Sequence, residues 1–143
     1  MEKTWLYRLF GIGKIPAKLR SELQQEGLLL AEEGIPGSAT FLNFHKPGMR
    51  ASWRRQWYTA SLALTRTRLV ALRYGSPIIN VPLNDERIRS MQYLLEANGG
   101  VLCVSFDVTL FHPDWSGQIE YRFRTAQAGK FIDLLQQWRD WMN

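Results

Sequence analysis

The stretch Tyr58–Leu72, YTASLALTRTRLVAL, decides the fold. Apolar and small residues alternate on either side of a polar centre, the period of two that marks half-buried β-strands. Pairing Leu64 with Leu69 across the loop Thr65-Arg66-Thr67-Arg68, built on a type I turn, sets Leu62 opposite Ala71 with Tyr58 on their side. Ser61, Ala63, Val70 and Leu72 then line the other side. The leucines become core, and Arg66 and Arg68 sit at the tip.

Upstream, SATFLNFH (38–45) is a further strand, rich in Thr and Phe, broken by the turn signal KPG (46–48). Earlier still, IPAKLRSELQQEG (15–27) reads as a short helix: Pro16 suits its first turn, Leu19 and Leu23 are four apart, and Gly27 stops it. A short apolar strand from Leu28 is expected to end at the turn signals Gly34 and Pro36-Gly37. The chain therefore divides into an N-terminal extension, residues 1–37, packed on a domain of residues 38–143.

Downstream, SPIINVPL (76–83) is a strand whose two prolines confine it to a sheet edge or keep it short. Residues 84–100 allow two readings, a helix on the spacing of Ile88, Met91, Leu94 and Leu95, or, the one preferred, a loop followed by the strand MQYLLEA and the turn Asn98-Gly99-Gly100. VLCVSFDVTLF and GQIEYRFRT are strands separated by HPDWSG. In the second, Ile119, Tyr121 and Phe123 face inward and Glu120, Arg122 and Arg124 outward. The chain closes with an amphipathic helix that Thr125 caps, its stripe running through Phe131, Leu134, Leu135, Trp138, Trp141 and Met142. Such a stripe needs the preceding sheet to cover it.

Composition narrows the class. A chain of 143 residues buries roughly 68–70% of its unfolded surface, enough for a core without staples. The single cysteine, Cys103, rules out an intramolecular disulfide framework and sits in an apolar run, which fits a reducing, cytoplasmic setting. The N-terminus lacks the pattern of a secretory signal, and no apolar run approaches membrane-span length. Net charge is +5, and residues 50–89 alone hold eight Lys/Arg against two Asp/Glu. Such a segment attracts anions without naming one.

About seven short antiparallel strands followed by one tryptophan-bearing helix is the plan of the pleckstrin-homology superfold, which residues 38–142 resemble. KPGMRASWRRQWY (46–58) resembles that family's first hairpin: a lysine closing the first strand, a glycine, a variable loop, then Trp, basic residues and an aromatic pair. LALTRTRLVAL (62–72) is similar to a hairpin of bacterial pleckstrin-homology-like and GRAM domains. FIDLLQQW (131–138) is similar to the terminal helix, with Trp138 as its packing tryptophan. The implied fold is α+β and mostly β, a seven-stranded antiparallel barrel or sandwich capped by a C-terminal helix, with an N-terminal helix and strand added.

The resemblance implies a binding module. In members that hold phosphoinositides, a lysine ending the first strand and a basic-x-Arg pair opening the second grip the phosphates, arginine with a planar fork. Those positions are Lys46 and Arg54, with Gln56 where the pattern has arginine, while Arg55 points to the opposite face. The candidate anion-binding rim is Lys46, Arg50, Arg54 and Arg55, extended by Arg66 and Arg68 if both loops share one end of the barrel. A candidate interaction surface is the aromatic N-terminus, Trp5, Leu6 and Phe10.

Catalysis finds no constellation. His45 and His112 have no spacing that joins them to Cys103, His112 and Asp114 belong to turn chemistry, and GIG (11–13) lacks the later glycine of a phosphate loop. The expectation is a non-catalytic module, without cofactor or metal, that docks a protein partner or another copy of itself. The alternatives are peripheral binding to an anionic membrane surface or phosphoinositide head groups and, third, single-stranded nucleic acid. The third ranks last because alternation is expected to bury rings among Trp53, Trp57 and Tyr58 where it exposes arginines.

Overall fold

In the computed structural model, residues 3–4 and 14–142 are described, with the backbone alone at 139–142. The hairpin read from Tyr58–Leu72 forms in the expected register: Leu64 pairs with Leu69, Ala63 with Val70 and Leu62 with Ala71. Strands β2 (Met49–Thr65) and β3 (Arg68–Arg73) pair with each other no further than Leu64 and Leu69, so the turn beyond that last pair holds the four residues expected, Thr65 to Arg68. The Thr65 hydroxyl closes it by accepting from the Thr67 and Arg68 N–H groups at 3.1 and 3.0 Å.

Five further strands complete one antiparallel sheet: β1 (Leu28–Lys46), β4 (Ser76–Pro82), β5 (Gln92–Glu96), β6 (Val101–Asp107) and β7 (Ser116–Arg124). The order is β4-β3-β2-β1-β7-β6-β5, so β4 lies at an edge as its prolines require, and the sheet is open between β4 and β5. The one-turn helix α2 (Arg87–Ser90) links those two edges. Inward-facing residues of every strand but β5, among them Ile35, Tyr58, Leu62, Val104 and Phe123, form one core. Helix α3 (Ala128–Met142) packs on β5 and β6 and sinks Phe131, Ile132 and Leu135 into it. Thr125 Oγ1 accepts from the Gln127 N–H at 3.0 Å, but the helix begins only at Ala128, so the hydroxyl shapes the turn before the helix and is not the cap expected from the sequence. Trp138 is the packing residue foreseen, its Nε1 donating to the Leu83 carbonyl at 2.8 Å.

Strand β1 corrects the expectation that Gly34 and Pro36-Gly37 end a short strand. It runs unbroken for 19 residues. The register slips between Glu32 and Ile35, Gly34 takes φ 71°, and Pro36 and Gly37 pair with Thr59 and Tyr58. A bulge absorbs the glycine. Proline is tolerated because pairing with β7 begins only at Gly37, so among the described residues β1 pairs with a single strand at Pro36. The variable loop expected after Lys46 is likewise absent: Pro47 and Gly48, with Gly48 at φ 82°, are all that separates β1 from β2.

Helix α1 (Ala17–Gln25) covers the outward side of the β2–β3 hairpin, where Leu23 and Ile15 bury Ala63, Val70 and Leu72 in a second small core. The hairpin is thus apolar on both sides for a physical reason. Farther along β2, toward its start, nothing of α1 remains and the outward residues meet solvent.

Candidate functional site

The six candidate cations do not gather on one rim. The turns that bracket β2 lie at opposite ends of a 17-residue strand, which separates Lys46 and Arg50 from Arg66 and Arg68 by about 50 Å of chain. Arg66 is exposed and its side chain packs over Gly27, while Arg68 is tied to Glu26, Glu22 and Asn80. Arg68 is therefore a structural clasp. Lys46 Nζ stands 5.0 Å over the Trp115 ring, and Arg50 is exposed beside a shallow hollow with Asn43, Phe44 and Ser116. Arg54 falls by alternation on the side of Gln56 and Tyr58, and Arg55 on the other, as the sequence implied. Trp5, Leu6 and Phe10 lie outside the described residues.

The outward side of β2 carries a ladder, Trp53, Arg55 and Trp57. Both indoles are largely in water, 60% and 68% exposed, and the Arg55 guanidinium lies between them, 5.4 Å from one ring and 5.7 Å from the other. Its Nε donates to Thr40 Oγ1 at 2.9 Å, which fixes the side chain while leaving both Nη groups without a protein acceptor among the described residues. Alternation buries Tyr58, as expected, but leaves Trp53 and Trp57 exposed beside Arg55, since these three residues are odd-numbered on one strand.

Beneath Trp57 the same face opens into a cleft of about 290 Å³, bounded by β1, β2, β7 and the β5–β6 turn. Pro36, Trp57, Ala97 and Val101 give it apolar walls; Arg55, Arg122 and Arg124 bring charge. Arg122 is spoken for, donating to Glu96 from Nε and Nη2 at 2.7 and 3.3 Å and to Glu120 from Nη1 at 3.1 Å. Its bond to Glu96 raises its pKa further, against the opposing effect of burial. Arg124 is exposed and has no ion-pair partner among the described residues. Ser38, on the strand between Trp57 and Arg122, is 1% exposed, and its Oγ has no hydrogen-bond partner among the described residues.

A second hollow, about 410 Å³, opens on the inward side. Lys46, Gln56, Tyr58, Arg73, His112, Trp115 and Tyr121 line it together with apolar residues. Arg73 Nη1 donates to Gln56 Oε1 at 3.4 Å, Tyr58 OH donates to the Ser38 carbonyl at 3.1 Å, and His112 stacks on Trp115 at 3.7 Å. Burial raises the pKa of both tyrosines, that of Tyr121 to about 12, so both are neutral hydroxyls at pH 7. Cys103 is buried, and burial pushes its thiol up to about 11, which makes it a poor nucleophile. No group of three or more His, Cys, Asp or Glu side chains among the described residues is placed to hold a metal ion.

Sequence reasoning found Arg55, weighed Trp57 only for stacking on nucleic acid, and missed Ser38, Arg73 and Arg124 as site residues. Ser38 and Arg124 reach the cleft from strands far apart in the chain, and only pairing joins them. No protein-family model matches the chain, and no curated protein matches it. No helix among the described residues is long and apolar enough to cross a membrane.

Proposed function

We propose that the protein is a non-catalytic binding module of pleckstrin-homology-like plan that docks a protein partner on the outward face of β1, β2 and β7. The strand order and the C-terminal helix are compatible with that plan. The observation that carries the docking reading is the ladder itself, two exposed tryptophans with an arginine held between them. Leaving a large apolar side chain in water forgoes about 2 kcal/mol of burial. Trp and Arg are also the side chains that most often dominate protein interfaces. The partner surface is one of apolar and acidic groups, complementary to the indoles and to the unpaired guanidiniums of Arg55 and Arg124. The test is affinity capture by the wild type, Trp53→Ala/Trp57→Ala and Arg66→Ala, followed by calorimetry on the purified partner. A partner held by the wild type and Arg66→Ala but at least about tenfold weaker with the double variant supports the reading. Equal retention by all three overturns it.

A second reading rests on the inward hollow, where Lys46 and Arg73 converge with Arg54 nearby: it binds an anionic lipid head group. Gln56 is bonded to Arg73 there and supplies no charge of its own. Sedimentation with vesicles containing anionic lipid, at two salt concentrations, tests it. Binding that falls with salt and is lost in Lys46→Glu/Arg54→Glu supports it, and unchanged binding in that variant sinks it.

A further inference from the structure

The cleft beneath Trp57 combines three features that a solvated sheet surface does not need. Two guanidiniums, Arg55 and Arg124, end there with donors that no described residue accepts. A hydroxyl, Ser38 Oγ, is withdrawn from water and yet unpaired. Orphaned buried polar atoms are uncommon because each forfeits its hydration without compensation. The walls are apolar and one of them is an exposed indole. We infer that the cleft receives a single carboxylate from an extended, otherwise apolar peptide segment of the docked partner. Arg55 and Arg124 clamp its oxygens, Ser38 Oγ–H donates to it, and an apolar neighbour in the peptide lies on Trp57. This rests on the docking reading and names what that face recognises.

Charge decides the class of ligand. Three arginines face Glu96 within the cleft, and Glu120 stands beside it, bonded to Arg122. Three cations against two acids leave a net charge of one, and Arg55 and Arg124 are the two cations not tied to a carboxylate among the described residues. A single carboxylate sits on that pair and avoids the acids; a continuous phosphate backbone tracking the face would cross them. At about 290 Å³ the cleft lies at the small end of ligand pockets, room for one side chain and its neighbours. Arg55 is already fixed by Thr40 and the two rings, so it loses little freedom when it closes on an oxygen.

The test is an amide NMR titration of the full chain with an acetylated, amidated six-residue peptide that carries one central glutamate among valines and alanines. The Ser38 and Arg124 amides and the Trp57 indole N–H should shift together. The glutamine counterpart should bind at least about tenfold more weakly, Arg124→Ala should weaken the glutamate peptide about fivefold or more, and Ser38→Ala about threefold. Equal binding of the glutamine peptide, or no shift at these three sites, overturns the inference. Inorganic phosphate or a short oligothymidylate binding as tightly as the glutamate peptide overturns the carboxylate assignment. The two readings fail separately. A partner whose capture depends on Trp53 and Trp57 but not on Arg124 or Ser38 leaves docking standing and removes the cleft's role. A peptide that titrates the cleft while partner capture ignores the tryptophans does the reverse.

Discussion

Arg68 clasps Glu26: its Nε donates to Oε1 at 2.8 Å and its Nη2 lies 2.8 Å from Oε2, joining the β2–β3 turn to the end of α1. Both side chains are mostly shielded, and Thr67 Oγ1 donates to the same carboxylate at 2.9 Å. A fork-to-fork pair of this kind is held in place, unlike a loose surface pair. Arg68→Ala is expected to lower stability by about 1–2 kcal/mol, because Glu26 loses its main donors. Arg66→Ala, two positions away in the same turn and exposed, should stay within about 0.5 kcal/mol. Urea unfolding of the two variants checks the contrast.

The same carboxylate sets a pH dependence. Burial pushes the Glu26 pKa up, but hydrogen bonds from Arg68 and Thr67 with the Arg68 charge together outweigh it, and the net shift is downward. Asp85 is lowered by its hydrogen bonds from Arg87, and Asp107 by those from Thr109. A carboxylate whose folded pKa lies below its unfolded value contributes stability that is complete above the unfolded value and lost as pH falls through the folded one. Urea midpoints should therefore be level from pH 7 to about 5 and decline below about 4. Glu26→Gln should lose stability at pH 7 and show a shallower acid decline.

How much of this was legible in the chain differs by level. The hairpin register was readable because Leu62, Leu64, Leu69 and Ala71 can share a face in only one way, and a slip of one residue would turn them all outward. The terminal helix was readable from its stripe for the same reason. Gly34 and Pro36 misled because a bulge and a one-sided stretch of strand absorb residues that ordinarily end one. Only the sheet order shows that β1 pairs with a single strand there among the described residues. The candidate site divided in the same way. Arg55 on the face opposite Arg54 follows from alternation, a local rule. The nearness of Ser38 to Arg122 and Trp57 is a property of pairing across three strands, which no local pattern encodes.

Gly117 marks where β7 meets the kink of β1 at Asn43. Its φ is 106°, and a β-carbon there would stand 2.5 Å from the Asn43 carbonyl oxygen and 2.7 Å from that of Leu42. These are backbone atoms in a paired strand, so neither can swing aside. Gly117→Ala is expected to cost more than about 2 kcal/mol, combining left-handed strain with displacement of β1. Gly48→Ala, also at positive φ but with open space around it, should cost about 1 kcal/mol. Thermal unfolding of the pair separates crowding from conformational strain.

Trp57 and Trp138 should respond oppositely to removal. Trp57→Ala takes away a ring that is mostly in water, so stability should change by less than about 0.5 kcal/mol. Trp138 packs against the core and hydrogen-bonds Leu83, and Trp138→Ala should cost about 3 kcal/mol or more. Trp138→Phe, which keeps most of the packing and leaves the Leu83 carbonyl short of a donor, should cost about 1 kcal/mol. A large loss of stability in Trp57→Ala would mean that the ladder supports the fold, and the docking reading would lose its observation.

Ser38→Ala reports on why the hydroxyl is there. It is fully buried and lacks a partner among the described residues, so in the free protein it contributes desolvation cost without a compensating bond. Replacing it with a methyl group removes that cost. Stability should hold or rise by up to about 1 kcal/mol, while affinity for a carboxylate-bearing peptide falls. Opposite signs for folding and binding are what a residue kept for recognition predicts. A serine that packs the strand or bonds an ordered water would lose stability on substitution, and unfolding measured beside the peptide titration distinguishes the two.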